Sequence, residues 1–88
     1  ARAAALPRAL AEAAERIGGG MAGEEALGQA REALLSAGFS NVDYLALVDG
    51  ASLEPLAAKG ENMRLLAAAS IGGVRLIDNM PVTLEQQV

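Results

Sequence analysis

The stretch that decides the fold is Met63-Arg64-Leu65-Leu66-Ala67-Ala68-Ala69-Ser70-Ile71-Gly72-Gly73-Val74-Arg75-Leu76-Ile77-Asp78-Asn79. It consists of two apolar segments joined by Gly72-Gly73. Two glycines between apolar segments are a strong signal for a β-hairpin with a two-residue turn, because such turns need positive φ at their central positions. The stretch therefore predicts a pair of antiparallel strands.

The turn fixes the register of these strands. Ile71 should lie opposite Val74, and Ala68 should lie opposite Ile77. Because side chains alternate along a strand, each strand has two distinct faces. One face carries Leu65, Ala67, Ala69, Ile71, Val74, Leu76 and Met80, and the other carries Arg64, Leu66, Ala68, Ser70, Arg75, Ile77 and Asn79. The first face is the expected core face, with Leu76 inside it, and Pro81 argues against a central strand position.

Two amphipathic helices are predicted upstream. The first runs from about Leu6 to Ile17, with Pro7 tolerated in its first turn and Gly18-Gly19-Gly20 at its end. The second runs from about Glu24 to Ala37 and ends at Gly38, a left-handed cap beyond which Phe39 folds back on Leu34 or Leu35. The predicted buried stripes are Leu6, Leu10, Ala13, Ala14 and Ile17, then Leu27, Ala30, Leu34 and Ala37.

A further strand is predicted over Val42–Asp49, where β-branched and aromatic residues replace the helical period. Its two faces are Val42, Tyr44, Ala46, Val48 and Asp43, Leu45, Leu47, Asp49. Both are apolar in the middle, so neighbours are expected above and below the strand. A loop from Ala51 to Asn62 follows. The expected fold is α+β: two amino-terminal helices packed on a small antiparallel sheet of about three strands with a carboxy-terminal hairpin.

Composition limits the possible functions. The 88 residues allow one domain, spanning residues 1–88, and the seven basic and eleven acidic residues give a net charge of -4. Seven scattered basic residues argue against nucleic-acid binding. No apolar run reaches the roughly 20 residues that span a bilayer, and Ala1-Arg2-Ala3 does not resemble a signal peptide. The chain has no histidine or cysteine, which rules out zinc sites and Ser–His or Cys–His nucleophiles built from it. The expected location is the cytoplasm.

The remaining candidate groups all have structural explanations. The glycine runs at 18–20 and 72–73 could approach a phosphate or ligand, but a helix terminator and a hairpin turn explain them better. Arg64 and Arg75 share a face and could bind an anion, although pairing with Glu54 or Glu61, or solvation, is the simpler interpretation. Asp78 needs a hydrogen-bond partner on an apolar face. Tyr44 and Lys59 could carry protons, but no catalytic, cofactor-binding or metal-binding residue is assigned.

Two segments resemble the pantothenate synthetase (pantoate–β-alanine ligase) family. The first is the hairpin with its Arg64-Leu65-Leu66, Gly72-Gly73 and Arg75-Leu76-Ile77-Asp78-Asn79 elements. The second, upstream and in the expected order, is Val42–Asp49 followed by Ser52-Leu53-Glu54-Pro55. The resemblance implies an enzyme of pantothenate and coenzyme A precursor biosynthesis that adenylates pantoate with ATP and then lets the β-alanine amine displace AMP.

The same resemblance implies that the two domains of the enzyme have different roles. In the family, a histidine-bearing motif and a lysine-methionine-serine motif lie in an amino-terminal nucleotide-binding domain, which binds ATP and Mg²⁺. This chain carries neither motif. It is thus expected to be the carboxy-terminal lid domain, inactive alone, with the amino-terminal domain of the same enzyme as its protein partner. The parent enzyme is expected to be a homodimer that binds pantoate, β-alanine and ATP. The alternative is a free-standing acidic module that binds a protein through its sheet edge or helices.

Overall fold

The computed structural model describes residues 4–54 and 62–83. The elements in chain order are α1 (Ala5–Gly18), α2 (Gly23–Ser36), β1 (Asn41–Asp49), β2 (Met63–Ile71) and β3 (Val74–Val82). The strands form one antiparallel sheet in the order β1-β2-β3. Both helices pack on the same face of it, so the predicted α+β class is confirmed. Much of the predicted loop over 51–62, including Lys59 and Glu61, lies outside the described residues.

Helix α1 begins at Ala5 and places Pro7 at its third position, where a missing amide proton costs no intrahelical hydrogen bond. Its apolar stripe is buried against α2 and the sheet: Leu6, Ala9, Leu10, Ala13 and Ile17. Ala14, expected in this stripe, is only partly buried. On the solvent side, Glu12 and Arg16 form a salt bridge of 3.7 Å one helical turn apart.

Helix α2 carries Glu24 and Glu25 in its first turn, where they favour the positive end of the helix dipole. Its buried stripe is Ala26, Ala30 and Leu34, while Leu27 and Ala37 at the predicted positions are partly buried. The predicted carboxyl end is confirmed. Gly38 has φ 106°, and the amide of Phe39 donates to the Leu34 carbonyl at 3.1 Å, which places the buried Phe39 ring in the core.

The hairpin has the predicted turn and register. Gly72 and Gly73 both have positive φ, 58° and 80°, which the right-handed twist of a tight hairpin requires. Ile71 pairs with Val74, and Ala68 pairs with Ile77. Pro81 lies in β3, an edge strand, so its missing amide proton leaves no ladder position unpaired in the sheet interior.

Burial along the hairpin decreases from the central strand to the edge strand. Leu65, Ala67 and Ala69 on β2 are fully buried beneath the helices. Leu76 on β3 lies on the predicted core face and packs against the core, but it is only partly buried, so the expectation of full burial was wrong. Val74 beside the turn is 56% exposed, so its placement in the core was wrong. Side chains of β2 have neighbours on both flanking strands, whereas those of β3 have them on one side only.

A β-bulge between Val42 and Tyr44 changes the predicted faces of β1. The extra residue is Asp43, and beyond it the alternation is shifted by one position. Val42 therefore shares the helix-covered face with Leu45 and Leu47, while Tyr44 lies on the other face. The expectation of neighbours above and below β1 was wrong for the part of the chain that the structure describes, because both described helices lie on one side of the sheet.

Shortening a side chain on the central strand β2 should lower the free energy of unfolding more than shortening one on the edge strand β3. Leu65→Ala removes a fully buried side chain and should lower the free energy of unfolding by about 2–5 kcal/mol. Leu76→Ala should cost clearly less, since Leu76 already contacts solvent. Chemical denaturation followed by circular dichroism measures both. An equal loss for the two variants would contradict the burial difference between β2 and β3.

Candidate functional site

The sheet has a second face that no described helix covers, and we call it the open face. It carries Tyr44, Ala46, Val48, Arg64, Leu66, Ala68, Ser70, Arg75, Ile77 and Asn79, with Asp43 beside them at the bulge. Strand pairing places these side chains in rows across the sheet. Tyr44, Ala68 and Ile77 form one row, and Ala46, Leu66 and Asn79 form the next. The centre of the open face is therefore apolar.

Arg64 and Arg75 both lie on the open face, as predicted, but they do not converge on one site. The Nε of Arg75 donates to Oδ2 of Asp43 at 2.8 Å. Arg64 hydrogen-bonds the side-chain carbonyl of Asn79. Arg64 and Ser70, the partner of Arg75, are six residues apart on β2, a separation of roughly 20 Å. The two cations thus face different ends of the sheet, and the carboxylate that holds Arg75 is Asp43 rather than Glu54.

Asp78 and Tyr44 have simple structural placements. Asp78 lies on the helix-covered face but is only partly buried, and its Oδ1 accepts the backbone amide of Asn79 at 2.8 Å. This amide is the hydrogen-bond partner that the carboxylate was expected to need. Tyr44 lies on an edge strand and is 40% exposed, so its ring rests on the open face with access to water.

The glycine run at 18–20 ends α1 and allows a close contact. Gly20 has φ 114°, and the amide of Met21 donates to the Arg16 carbonyl at 2.8 Å, the hydrogen bond of a Schellman cap. At Gly18, a β-carbon would lie 2.4 Å from the Thr83 backbone oxygen. The run therefore ends the helix, as predicted, and places it against Thr83, the residue that follows β3.

A turn after β1 contains an anchored carboxylate that the sequence analysis missed. Oδ1 of Asp49 accepts the backbone amides of Ala51 and Ser52, each at 2.9 Å, and the Ser52 hydroxyl at 3.3 Å. These donors, the Ser52 amide first, lower the pKa of Asp49 below its usual value. The same turn holds Leu53 at φ 62°, with its amide bound to the Asp49 carbonyl. The signal was available as Asp49 followed three residues later by Ser52.

The described residues offer neither a metal site nor a ligand pocket of the usual size. Across residues 4–54 and 62–83, no group of three or more histidine, cysteine, aspartate or glutamate side chains could hold a metal ion. A cleft of about 200 Å³ between the start of α1 and the end of α2 is below the usual size of a ligand pocket. Neither described helix is long and apolar enough to cross a membrane.

Comparison with known proteins gives the family directly. The model of the pantoate-beta-alanine ligase family matches residues 1–81. This chain belongs to that family. The pantothenate synthetase of Cereibacter sphaeroides is 55% identical to it over 82 residues, and that of Paracoccus denitrificans is 56% identical over 84 residues. The match covers 93% and 94% of this chain, respectively, and 29% of each relative.

The solved structures agree with the family assignment. The crystal structure of pantothenate synthetase from Thermus thermophilus superposes with a TM-score of 0.79 at 37% identity. The match covers 90% of this chain and 29% of that chain. The chain thus spans somewhat less than a third of the length of the ligases that it resembles. The resemblance read from the hairpin and from β1 is confirmed.

The close contact at Gly18 predicts opposite effects for two Gly→Ala substitutions. Gly18→Ala should destabilise the protein by about 1–3 kcal/mol, because the new methyl group collides with the Thr83 carbonyl. Gly28→Ala, also in a helix, meets nothing within 4 Å and should stabilise it by about 0.5–1 kcal/mol. Thermal and chemical unfolding of the two variants test this pair. Stabilisation by Gly18→Ala would contradict the contact.

The anchored carboxylate predicts a pH-dependent contribution to stability. Because the folded-state pKa of Asp49 is lowered, its carboxylate contributes fully above the unfolded-state pKa, and the contribution is lost as pH falls through the folded-state value. Asp49→Asn should thus be less stable than the parent near neutral pH and approach it in strong acid. Glu32→Gln, at an exposed α2 position, controls for removal of a charge. A pH-independent deficit for Asp49→Asn would contradict the assignment.

Proposed function

We propose that this chain works as the carboxy-terminal lid domain of an ATP-dependent ligase that condenses pantoate and β-alanine into pantothenate, and that it is inactive alone. The observation that carries the proposal is the family match over residues 1–81, combined with coverage of only 29% of the relatives. A segment of that size, with its own core of two helices and a sheet, is suited to be one domain of the enzyme.

The described residues do not fit a site for ATP or Mg²⁺. Magnesium is usually held by carboxylates together with substrate phosphates, and no suitable acidic cluster occurs among them. Neither glycine run forms a phosphate cradle, since one caps a helix and the other turns a hairpin. Under this proposal the rest of the enzyme binds the nucleotide and metal, and no residue of this chain is assigned to transfer a proton or hold a phosphate.

The contribution of this domain is then to close the site. Adenylation of pantoate with release of pyrophosphate gives an acyl-adenylate that water can hydrolyse, and the β-alanine amine must reach it first. A closing lid excludes water and positions the intermediate. Such a lid needs a stiff body, and here Leu6 and Leu10 of α1 pack on the sheet at 2% and 0% exposure.

Three further parts of the proposal follow from the family resemblance. The amino-terminal domain of the same enzyme is the protein partner, and the parent enzyme is a homodimer. Its location is the cytoplasm. The alternative, a free-standing acidic module that binds another protein, is not favoured, because the family model matches residues 1–81 and the relatives described above are pantothenate synthetases matched over most of this chain.

Exchange of the domain into a relative tests the proposal. The matching segment of the Cereibacter sphaeroides enzyme would be replaced by this chain, and AMP formation from ATP, pantoate and β-alanine would be measured. We expect activity from this chimera, and none from the isolated chain or from the relative without the segment. Turnover by the isolated chain after repurification would refute the division of labour.

Substitutions within the chimera separate positioning from chemistry. Arg64→Ala, Arg75→Ala and Asp78→Ala should each leave adenylation measurable, because a lid residue orients and shields rather than transferring a proton. Pyrophosphate release measures the adenylation step, and circular dichroism checks folding. Complete loss of adenylation in a folded variant would assign a direct chemical role to that residue.

A further inference from the structure

The dipeptide Asp49–Gly50 joins the end of β1 to the turn of residues 49–54 that follows it. An aspartate before a glycine is especially prone to isomerise, because glycine has no β-carbon to hinder attack by its own backbone nitrogen. The chain contains no Asn-Gly pair, and its other aspartates, Asp43 and Asp78, precede larger residues. Asp49 is therefore the residue at which the backbone of this chain is most open to chemical change.

Hydrogen bonds hold both reacting groups of this dipeptide in the folded chain. The amide of Gly50 donates to the Asn62 carbonyl at 2.9 Å, which engages the nitrogen that would attack. The carboxylate of Asp49 is held by other donors, since its Oδ1 accepts the amides of Ala51 and Ser52. Because isomerisation joins the nitrogen to the carboxyl carbon, both sets of hydrogen bonds must break first.

The main chain around the dipeptide is also fixed. The amide of Asp49 donates to the Glu54 carbonyl at 2.9 Å, and the Asp49 carbonyl accepts the Leu53 amide at 2.8 Å. Both bonds oppose the rotation of the Asp49 backbone that ring closure needs. Leu53, however, is held at φ 62°, a left-handed conformation that is strained for a leucine. This strain is released when the turn opens, which lowers the free energy of opening.

We propose that Asp49–Gly50 is a latent isomerisation site, which the folded turn protects and which reacts when the turn opens. The Gly50 nitrogen bonds to the side-chain carboxyl carbon of Asp49, and the amide proton leaves with the carboxyl hydroxyl as water. Water then opens the resulting succinimide. Attack at the former side-chain carbonyl restores aspartate, and attack at the main-chain carbonyl gives isoaspartate. No oxidant or reductant is needed, and the site does not depend on the proposed function.

The same hydrogen bonds protect the carboxyl group chemically. The amides of Ser52 and Ala51 lower the pKa of Asp49, so the group stays ionised and has no hydroxyl to lose as water. After isomerisation the main chain would run through the former side chain, one methylene longer, and the free carboxylate would sit on the α-carbon. The turn would then lose the carboxylate position that its amides bind, so we expect isoaspartate to hold it open.

Measurement of isoaspartate at position 49 tests the proposal. The full chain would be incubated at neutral pH, either folded or unfolded in guanidinium chloride. Enzymatic methylation of isoaspartyl carboxylates would measure the product, and peptide mass spectrometry would locate it. Ser52→Ala removes a hydroxyl that bonds the Asp49 carboxylate and the Glu54 amide, each at 3.3 Å. Ser36→Ala, at an exposed α2 position, is the matched control, and circular dichroism checks folding.

We expect isoaspartate at position 49 to form at least about tenfold more slowly in the folded chain than in the unfolded chain, because reaction requires local opening. Ser52→Ala should raise the rate in the folded chain by about two- to tenfold, the effect of a lost hydrogen bond. It should leave the rate in the unfolded chain unchanged. Ser36→Ala should alter neither rate.

Equal rates in the folded and unfolded chains would overturn the proposal. So would product in the unfolded chain at Asp43 or Asp78 rather than at Asp49, or a folded Ser52→Ala variant that reacts no faster than Ser36→Ala. Gly50→Ala tests the nucleophile in the unfolded chain, where the added methyl group should slow attack by the nitrogen at position 50. An unchanged rate for Gly50→Ala would overturn the assignment of that nitrogen.

Discussion

The pairing of β2 with strands on both of its edges is the constraint on which the rest of the domain depends. It buries Leu65, Ala67 and Ala69, which alternate along β2 on the helix-covered face, and the small alanine side chains allow the helices to approach the sheet closely. The carboxyl end of each helix is then fixed by a glycine, Gly20 after α1 and Gly38 after α2, at which the chain turns back toward the core. Loss of packing on β2 would remove the centre of the buried sheet surface, while α1 lies closest to β3 and α2 closest to β1.

Local chemistry explains what could be predicted from the sequence. The hairpin register follows from two adjacent glycines, and the end of α2 follows from Gly38 with Phe39, because both features depend on a few neighbouring residues. The bulge at Asp43 could not be predicted, since it arises from the pairing of β1 with a distant strand. The same holds for Leu76, whose burial depends on strand order and not on the pattern within β3.

In the candidate site, too, features set by neighbouring residues were predictable, and features set by contacts between distant residues were not. The alternation of side chains along a strand predicted that Arg64 and Arg75 share a face. It could not predict their hydrogen-bond partners, Asn79 and Asp43. Asp43 reaches Arg75 only because the bulge places it beside the open face, 32 residues away in sequence. The anchored Asp49 was within reach of local reasoning, since a short polar side chain before a glycine commonly binds the amides that follow.

The wrong prediction for β1 has a structural reason. Apolar residues on both sides of a strand indicate two covered faces. The bulge explains part of the pattern, because it moves Leu45 and Leu47 to the helix side together with Val42. It does not explain Tyr44, Ala46 and Leu66, which remain apolar on a face that no described helix covers. Apolar residues on both sides of a strand are thus compatible with a single covering layer of helices when the strand lies at the edge of a small sheet.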